Sequence, residues 1–136
     1  MTHVERAVEI ERPAAAVWPH VRVLPSVLDG VRAADEHPDG RVVVTGEDDT
    51  TWDAALVEDG SPEHATWQGL DGSEGTWRAS IIALSPKRTR VDLVVEHDPH
   101  GIVERAGDAL GRLDRRVEAT LERLKRAVED ATPPPW

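Results

Sequence analysis

The sequence contains no cysteine, no phenylalanine and no tyrosine. Without cysteine there is no disulfide framework, no thiolate zinc site and no cysteine nucleophile. Without tyrosine there is no phenolic acid or base. No apolar run approaches the roughly 18 residues that a membrane span needs. No signal peptide opens the chain, so the expected compartment is the cytoplasm. The sequence also lacks G-x-S-x-G, H-E-x-x-H, a P-loop and G-x-G-x-x-G. Lysine is scarce: among 16 basic residues only Lys87 and Lys125 are lysine.

What is present fits one globular domain. The chain has 136 residues, 39% hydrophobic and 31% charged, which is neither disordered nor membrane composition. We place the domain at residues 1–130 and a Pro-rich tail at 131–136. At this size a chain buries roughly two-thirds of its unfolded surface, so a core forms without staples. The net charge is −10. Residues 99–136 hold seven basic and seven acidic groups, so all of that excess lies in the first 98 positions. An acidic body repels phosphate backbones and anionic lipid, so nucleic acid is not expected as a partner.

Alternation with period 2 runs to about residue 97. From His3 to Glu11, Val4, Val8 and Ile10 share one face. Pro13 then opens a helical stretch from Ala14 to Trp18. Pro19 and Pro25 forbid one long helix, so two short pieces are expected before Asp29-Gly30. Six more strand-like runs follow: Val31 to His37, Arg41 to Glu47, Thr51 to Val57, His64 to Gly69, Gly75 to Leu84 and Arg88 to His97. They are separated by turn signals such as Pro38-Asp39-Gly40, where proline presets one dihedral and glycine supplies positive φ. Seven strands joined mostly by hairpins imply an antiparallel sheet with one covered face.

After Asp98-Pro99 the period changes. Val103, Ala106, Leu110, Leu113, Val117, Leu121, Leu124 and Val128 recur every three or four residues, which is one apolar helix stripe. Asp98 suits the N-cap with Pro99 just inside. Residues 115 to 126 put mixed charge on the opposite, solvated face. Gly107 and Gly111 suggest a bend or the close approach of another element. Thr132-Pro133-Pro134-Pro135-Trp136 reads as extended polyproline II. Burying both apolar surfaces requires the long helix to lie across the concave face of the sheet. The expected class is α+β.

Several segments resemble a known family. Pro13-Ala14-Ala15-Ala16-Val17-Trp18 is similar to its "APAEAVW" opening, and Leu24-Pro25 with Gly30-Val31 to its "WP…GV". Trp52 to Asp59 resembles a "W-x-A-x-I-x-E" strand, and Ala65-Thr66-Trp67 resembles "I-x-W". Gly75 to Ile82 followed by Arg88-Thr89-Arg90-Val91 resembles "G-x-V-x-F…G-R-T-R-V", and His97-Asp98-Pro99 resembles "Y-D-P". The family is the START/Bet v 1-like superfamily, in its polyketide cyclase/dehydrase and coenzyme Q-binding branch. The resemblance covers essentially the whole chain. It implies a helix-grip fold: a seven-stranded antiparallel sheet curved around a long C-terminal helix, with two short helices after the first strand. It implies binding of a lipid, quinone or polyketide-like molecule, with cyclase or dehydratase activity in some members. Where the family carries aromatic residues, this chain has Leu24, Val27, Leu28 and Ala79.

Alternation groups Trp52, Ala54 and Leu56 on one face, and likewise Ala65 with Trp67. It also groups Trp77 with Ala79 and Ile81, and Val91 with Leu93, Val95 and His97. Two readings of the inward tryptophans stay open. They line a pocket for a flat apolar ligand, since indoles offer stacking faces and one N–H donor, or they are plain core in a chain without Phe or Tyr. The candidate ligand-binding set is Trp52, Trp67, Trp77, Ala79, Leu93 and Val95 on the sheet, with Val103, Ala106 and Leu110 on the helix. His97 is the candidate catalytic base, on an inward face beside a helix start. Metal is not expected: Asp98 is wanted as N-cap, and strand geometry separates it from His97. No cofactor is expected. Glu47-Asp48-Asp49 reads as a solubilising run, and Gly69 to Gly75 as a hairpin loop. A second reading of the whole is an assembly module with a filled interior, forming a homodimer and using Trp136 to dock on a neighbour.

Overall fold

A computed structural model describes residues 2–60, 63–70, 75–97 and 106–131; at Thr2, at 58–60, at His97, at 106–110 and at Arg112 it describes the backbone alone. Strand β1 (Thr2–Ile10) leads into helix α1 (Ala14–Arg22) and a 3-10 turn (Leu24–Val27). Then come β2 (Val31–Glu36), β3 (Arg41–Gly46), β4 (Thr51–Gly60), β5 (His64–Gln68), β6 (Gly75–Ser85) and β7 (Arg88–His97). Helix α2 (Ala106–Ala131) closes the order.

The seven strands form one antiparallel sheet in the order β1-β7-β6-β5-β4-β3-β2. Successive strands pair as hairpins from β2 onward, because each is followed by a short turn that Gly or Pro permits. β1 instead pairs with β7, Val4 opposite Val95 and Val8 opposite Val91. The curled sheet wraps the long helix, as the alternating pattern requires. Val4, Trp67, Trp77, Ala79, Val91, Leu93 and Val95 are buried on the concave face. Arg78 and Arg90 stand exposed on the other. The stripe Leu113, Val117, Leu121, Leu124 and Val128 is buried against that face. α2 packs most closely on β1, and also on α1, the 3-10 turn and β7.

The helical segment after β1 departs from expectation. α1 does not stop at Trp18 but runs through Pro19 to Arg22. Proline here costs one backbone bond, but its ring sits on the exposed side and its fixed φ suits a helix. The helix stops at Val23, whose φ of −109° and ψ of 32° leave helical geometry before the 3-10 turn begins at Leu24. Gly111 gives no sign of a close approach either. A Cβ there would meet only the Arg115 guanidinium, at 3.9 Å, and α2 continues unbroken. The proposed N-cap at Asp98-Pro99 and the tail residues 132–136 lie outside the described residues, and Ala131 is still helical. Among the described residues, no helix is long and apolar enough to cross a membrane.

The buried polar groups fix the helix. The Thr89 hydroxyl donates to the Arg12 carbonyl at 2.9 Å, holding the β1–α1 corner on β7. Arg12 is 7% exposed, and its Nη2 donates to the Glu129 carbonyl at 3.4 Å near the end of α2. An arginine at that end complements both the helix dipole and the unpaired carbonyls.

Candidate functional site

The structure brings several strand ends and the β3–β4 turn together at one end of the sheet. There β7 ends at His97, opposite Gly75 and Thr2. β4 begins there beside Leu70, and β3 ends there at Gly46. Between this end and α2 opens a cleft of about 710 Å³, within the usual range of small-molecule sites. Its walls are Asp29-Gly30, the β3–β4 turn (Gly46, Glu47, Asp48, Thr50), Trp52, and Arg115, Arg116 and Ala119 of α2.

Local chemistry holds each wall. The Gly46 N–H donates to the Thr50 carbonyl at 2.8 Å, and the Asp49 N–H to the Gly46 carbonyl at 3.1 Å. Asp49 takes a φ of 67°, a conformation that Asp tolerates better than most residues. The Asp48 carboxylate accepts from the Thr50 N–H at 3.1 Å, which holds its pKa below the usual carboxylate value. The Trp52 ring lies over Gly46. A Cβ there would sit 3.0 Å from Asp48 Oδ1 and 3.2 Å from Cζ3 of that ring, so any larger residue would push the carboxylate and the indole back. Trp52 Nε1 donates to the Leu70 carbonyl at 2.9 Å. Opposite, Arg116 Nε donates to the Asp29 carbonyl at 3.1 Å. The Thr120 hydroxyl accepts from the Asp29 N–H at 3.0 Å and donates to the Arg116 carbonyl at 2.7 Å. The Glu47 N–H donates to the Gly30 carbonyl at 3.1 Å. Helix, loop and hairpin are thus tied together around the cleft.

Trp52 is half-buried on the cleft wall. Trp67, Trp77, Ala79, Leu93 and Val95 are each 0% exposed and lie deeper on the same concave face. Trp67 and Trp77 are direct cross-strand partners, and Trp77 in turn faces Val95. Unlike Trp52, neither has a hydrogen-bond partner for its buried Nε1 among the described residues. The backbone of His97 reaches the same end. Its side chain, those of Ala106 and Leu110, and all of Val103 lie outside the described residues. Among the described residues, no group of three or more His, Cys, Asp or Glu could hold a metal ion.

Sequence reasoning missed part of this site. Glu47 and Asp48 read as a solubilising run, and Arg115 and Arg116 as a solvated helix face. All four line the cleft. Asp29-Gly30 read only as a turn. The positive φ of Gly30, 82°, was a usable signal for a turn, but nothing local to it points across to a helix some 86 residues on.

No known family model matches the chain. An uncharacterized protein of Streptomyces lincolnensis is 25% identical over 137 residues, spanning 96% of this chain and 91% of that one. A START superfamily protein from Mycobacterium smegmatis superposes with a TM-score of 0.74 at 14% identity, over 97% of this chain and 100% of that one. The Zhui aromatase/cyclase from Streptomyces sp. R1128 superposes with a TM-score of 0.70 at 16% identity, over 93% of each chain. This chain has the START/Bet v 1-like fold. Within that helix-grip frame, the cleft lies on the grip side of the sheet, between the gripping strands and the gripped helix.

Proposed function

We propose that this domain binds a hydrophobic small molecule, lipid-, quinone- or polyketide-like, between its sheet and C-terminal helix. The observation that carries the reading is the cleft between α2 and the β3–β4 hairpin with an indole on its wall. A half-buried tryptophan over glycine offers a flat apolar face at the mouth. The proposed floor is Trp67, Trp77, Ala79, Leu93 and Val95, and the proposed roof is Val103, Ala106 and Leu110. The similarity of fold to an aromatase/cyclase and to a START superfamily protein supports a ligand of this kind. Where the ligand is also turned over, by cyclisation or dehydration, His97 is the proposed base.

Native mass spectrometry of freshly purified protein tests the reading, together with tryptophan-fluorescence titration against a panel of quinones and aromatic polyketides. We expect a co-purified mass or saturable quenching that weakens in Trp52→Ala. No adduct, no quenching and no thermal shift across the panel would refute it.

A further inference from the structure

We propose that the tip of the β6–β7 hairpin docks the domain on an anionic phospholipid bilayer. Ile82 and Leu84 enter the headgroup boundary, and Lys87 and Arg88 meet the lipid anions.

Among the described residues this hairpin reaches past its neighbours. β5 begins at His64, opposite Ser80, and just beyond it the Ile81 N–H donates to the Glu63 carbonyl at 3.2 Å. On the other side β1 ends at Ile10, opposite Thr89. Between these points every residue from Ile82 to Arg88 is exposed. Ile82 is 51% exposed and Leu84 45%, whereas Val91 and Leu93 of the same hairpin are fully buried. The ladder shifts between Ala83 and Ser85, so Leu84 stands outside the pairing. Single exposed aliphatics are ordinary. Two of them, two residues apart and beside a cationic turn, make an amphipathic tip.

Charge selects the partner. Residues 75–91 hold Arg78, Lys87, Arg88 and Arg90 and no acid, in a chain whose net charge is −10. The acids that face this tip are Glu11, Asp92 and Glu9. Arg88 Nη2 lies 3.3 Å from Glu11 Oε1, Arg90 Nε lies 2.9 Å from Asp92 Oδ1, and Glu9 is the register partner of Arg90. The Arg88–Glu11 pair is half-exposed and holds little energy in water, so Arg88 exchanges to a lipid anion at small cost. The acidic body opposes an anionic surface everywhere else, which leaves the tip to lead the approach.

The size of the patch separates a bilayer from other anionic partners. A tip of this size falls short of the roughly 800 Å² per partner that a stable protein interface buries. A nucleic acid would use the cations, but its phosphates offer the aliphatic pair nothing. A bilayer takes up a few apolar side chains and rewards each cation beside them. β6 begins at Gly75, at the cleft end, and finishes at Ser85, so docking by the tip leaves the cleft open to water.

The test is co-flotation of the full chain with vesicles of phosphatidylcholine, alone or mixed with phosphatidylserine. We expect binding to the mixed vesicles only, falling as salt rises. Lys87→Gln should weaken it by about five-fold. Lys125→Gln removes the same charge from α2 and should leave it unchanged. The double variant Ile82→Ser, Leu84→Ser should weaken it by roughly ten-fold or more, with circular dichroism checking the fold. If that variant does not fold, Leu84→Cys carries a polarity-sensitive dye at the single thiol of a chain otherwise without cysteine, and its emission should shift to the blue on mixed vesicles. No binding to mixed vesicles, equal losses in the two lysine variants, undiminished binding by the folded double variant, or a dye that stays in water would each overturn the proposal. A dimer in solution that the double variant loses, without vesicle binding, would overturn it in favour of a second copy of this chain.

Discussion

Replacing Trp77 by phenylalanine tests whether its indole nitrogen is unpaired. The residue is 0% exposed and its Nε1 has no partner among the described residues. Phenylalanine keeps most of the ring but loses two carbons and the nitrogen. At about 0.8 kcal/mol per buried carbon, the transfer loss is roughly 1.6 kcal/mol. The space left behind adds on the order of 1 kcal/mol if the site does not collapse. Against this, deleting an unsatisfied buried donor recovers about 1–3 kcal/mol. The terms nearly cancel, so Trp77→Phe should change stability by less than about 1.5 kcal/mol. Leu124→Ala, an equally buried site on α2 with no polar atom to release, should cost about 2–5 kcal/mol. Both are read from urea midpoints by circular dichroism, with the slope unchanged. A loss above about 3 kcal/mol for Trp77→Phe would mean that the N–H is engaged in the folded protein and is not an unpaired donor.

Three further outcomes follow from the packing. Gly40 has a φ of 90°, and a Cβ there would lie 3.0 Å from the Leu56 carbonyl oxygen. Gly40→Ala should therefore cost about 2 kcal/mol or more, and an unchanged thermal midpoint would refute the turn geometry. Thr120→Val keeps the shape but removes the acceptor for the Asp29 N–H. It should cost about 1 kcal/mol and loosen the cleft wall, seen as faster hydrogen exchange at Asp29 than in wild type. Asp114 accepts two hydrogen bonds from Arg6, at 2.8 and 2.6 Å, and these hold its pKa below the ordinary 3.8. A depressed carboxylate stabilises the fold above its unfolded pKa and loses that effect as pH falls through the folded value. Asp114→Asn should flatten the fall in urea midpoint below pH ~4, and parallel curves for variant and wild type would count against the pair. The pair is exposed, so its effect at neutral pH should be small.

The strands were readable because one face of each is buried and the other wet, so alternation survives in the sequence. The α2 stripe was readable for the same reason at a period of 3.6. The extent of α1 was not, since Pro19 normally marks a boundary and only its exposed placement excuses it. The tryptophans were assigned to the correct face by parity alone. Parity could not separate Trp52, on the cleft wall, from Trp67 and Trp77, beneath it. That difference depends on how far α2 leans toward β1, which no local pattern encodes. The charged lining was hidden for a related reason. Glu47 and Arg115 each look like an ordinary solvated residue beside their sequence neighbours, and only the tertiary fold sets them across one opening.

The pairing of β1 with β7 has a kinetic consequence. Val4 meets Val95, so β1 waits until the five intervening strands and β7 have been made before it finds its partner, and α2 then packs on it. Such distant closure raises contact order and slows folding. It also means that a nascent chain halted before β7 carries an unmated edge, the condition in which chaperones or misassociation compete with the native outcome.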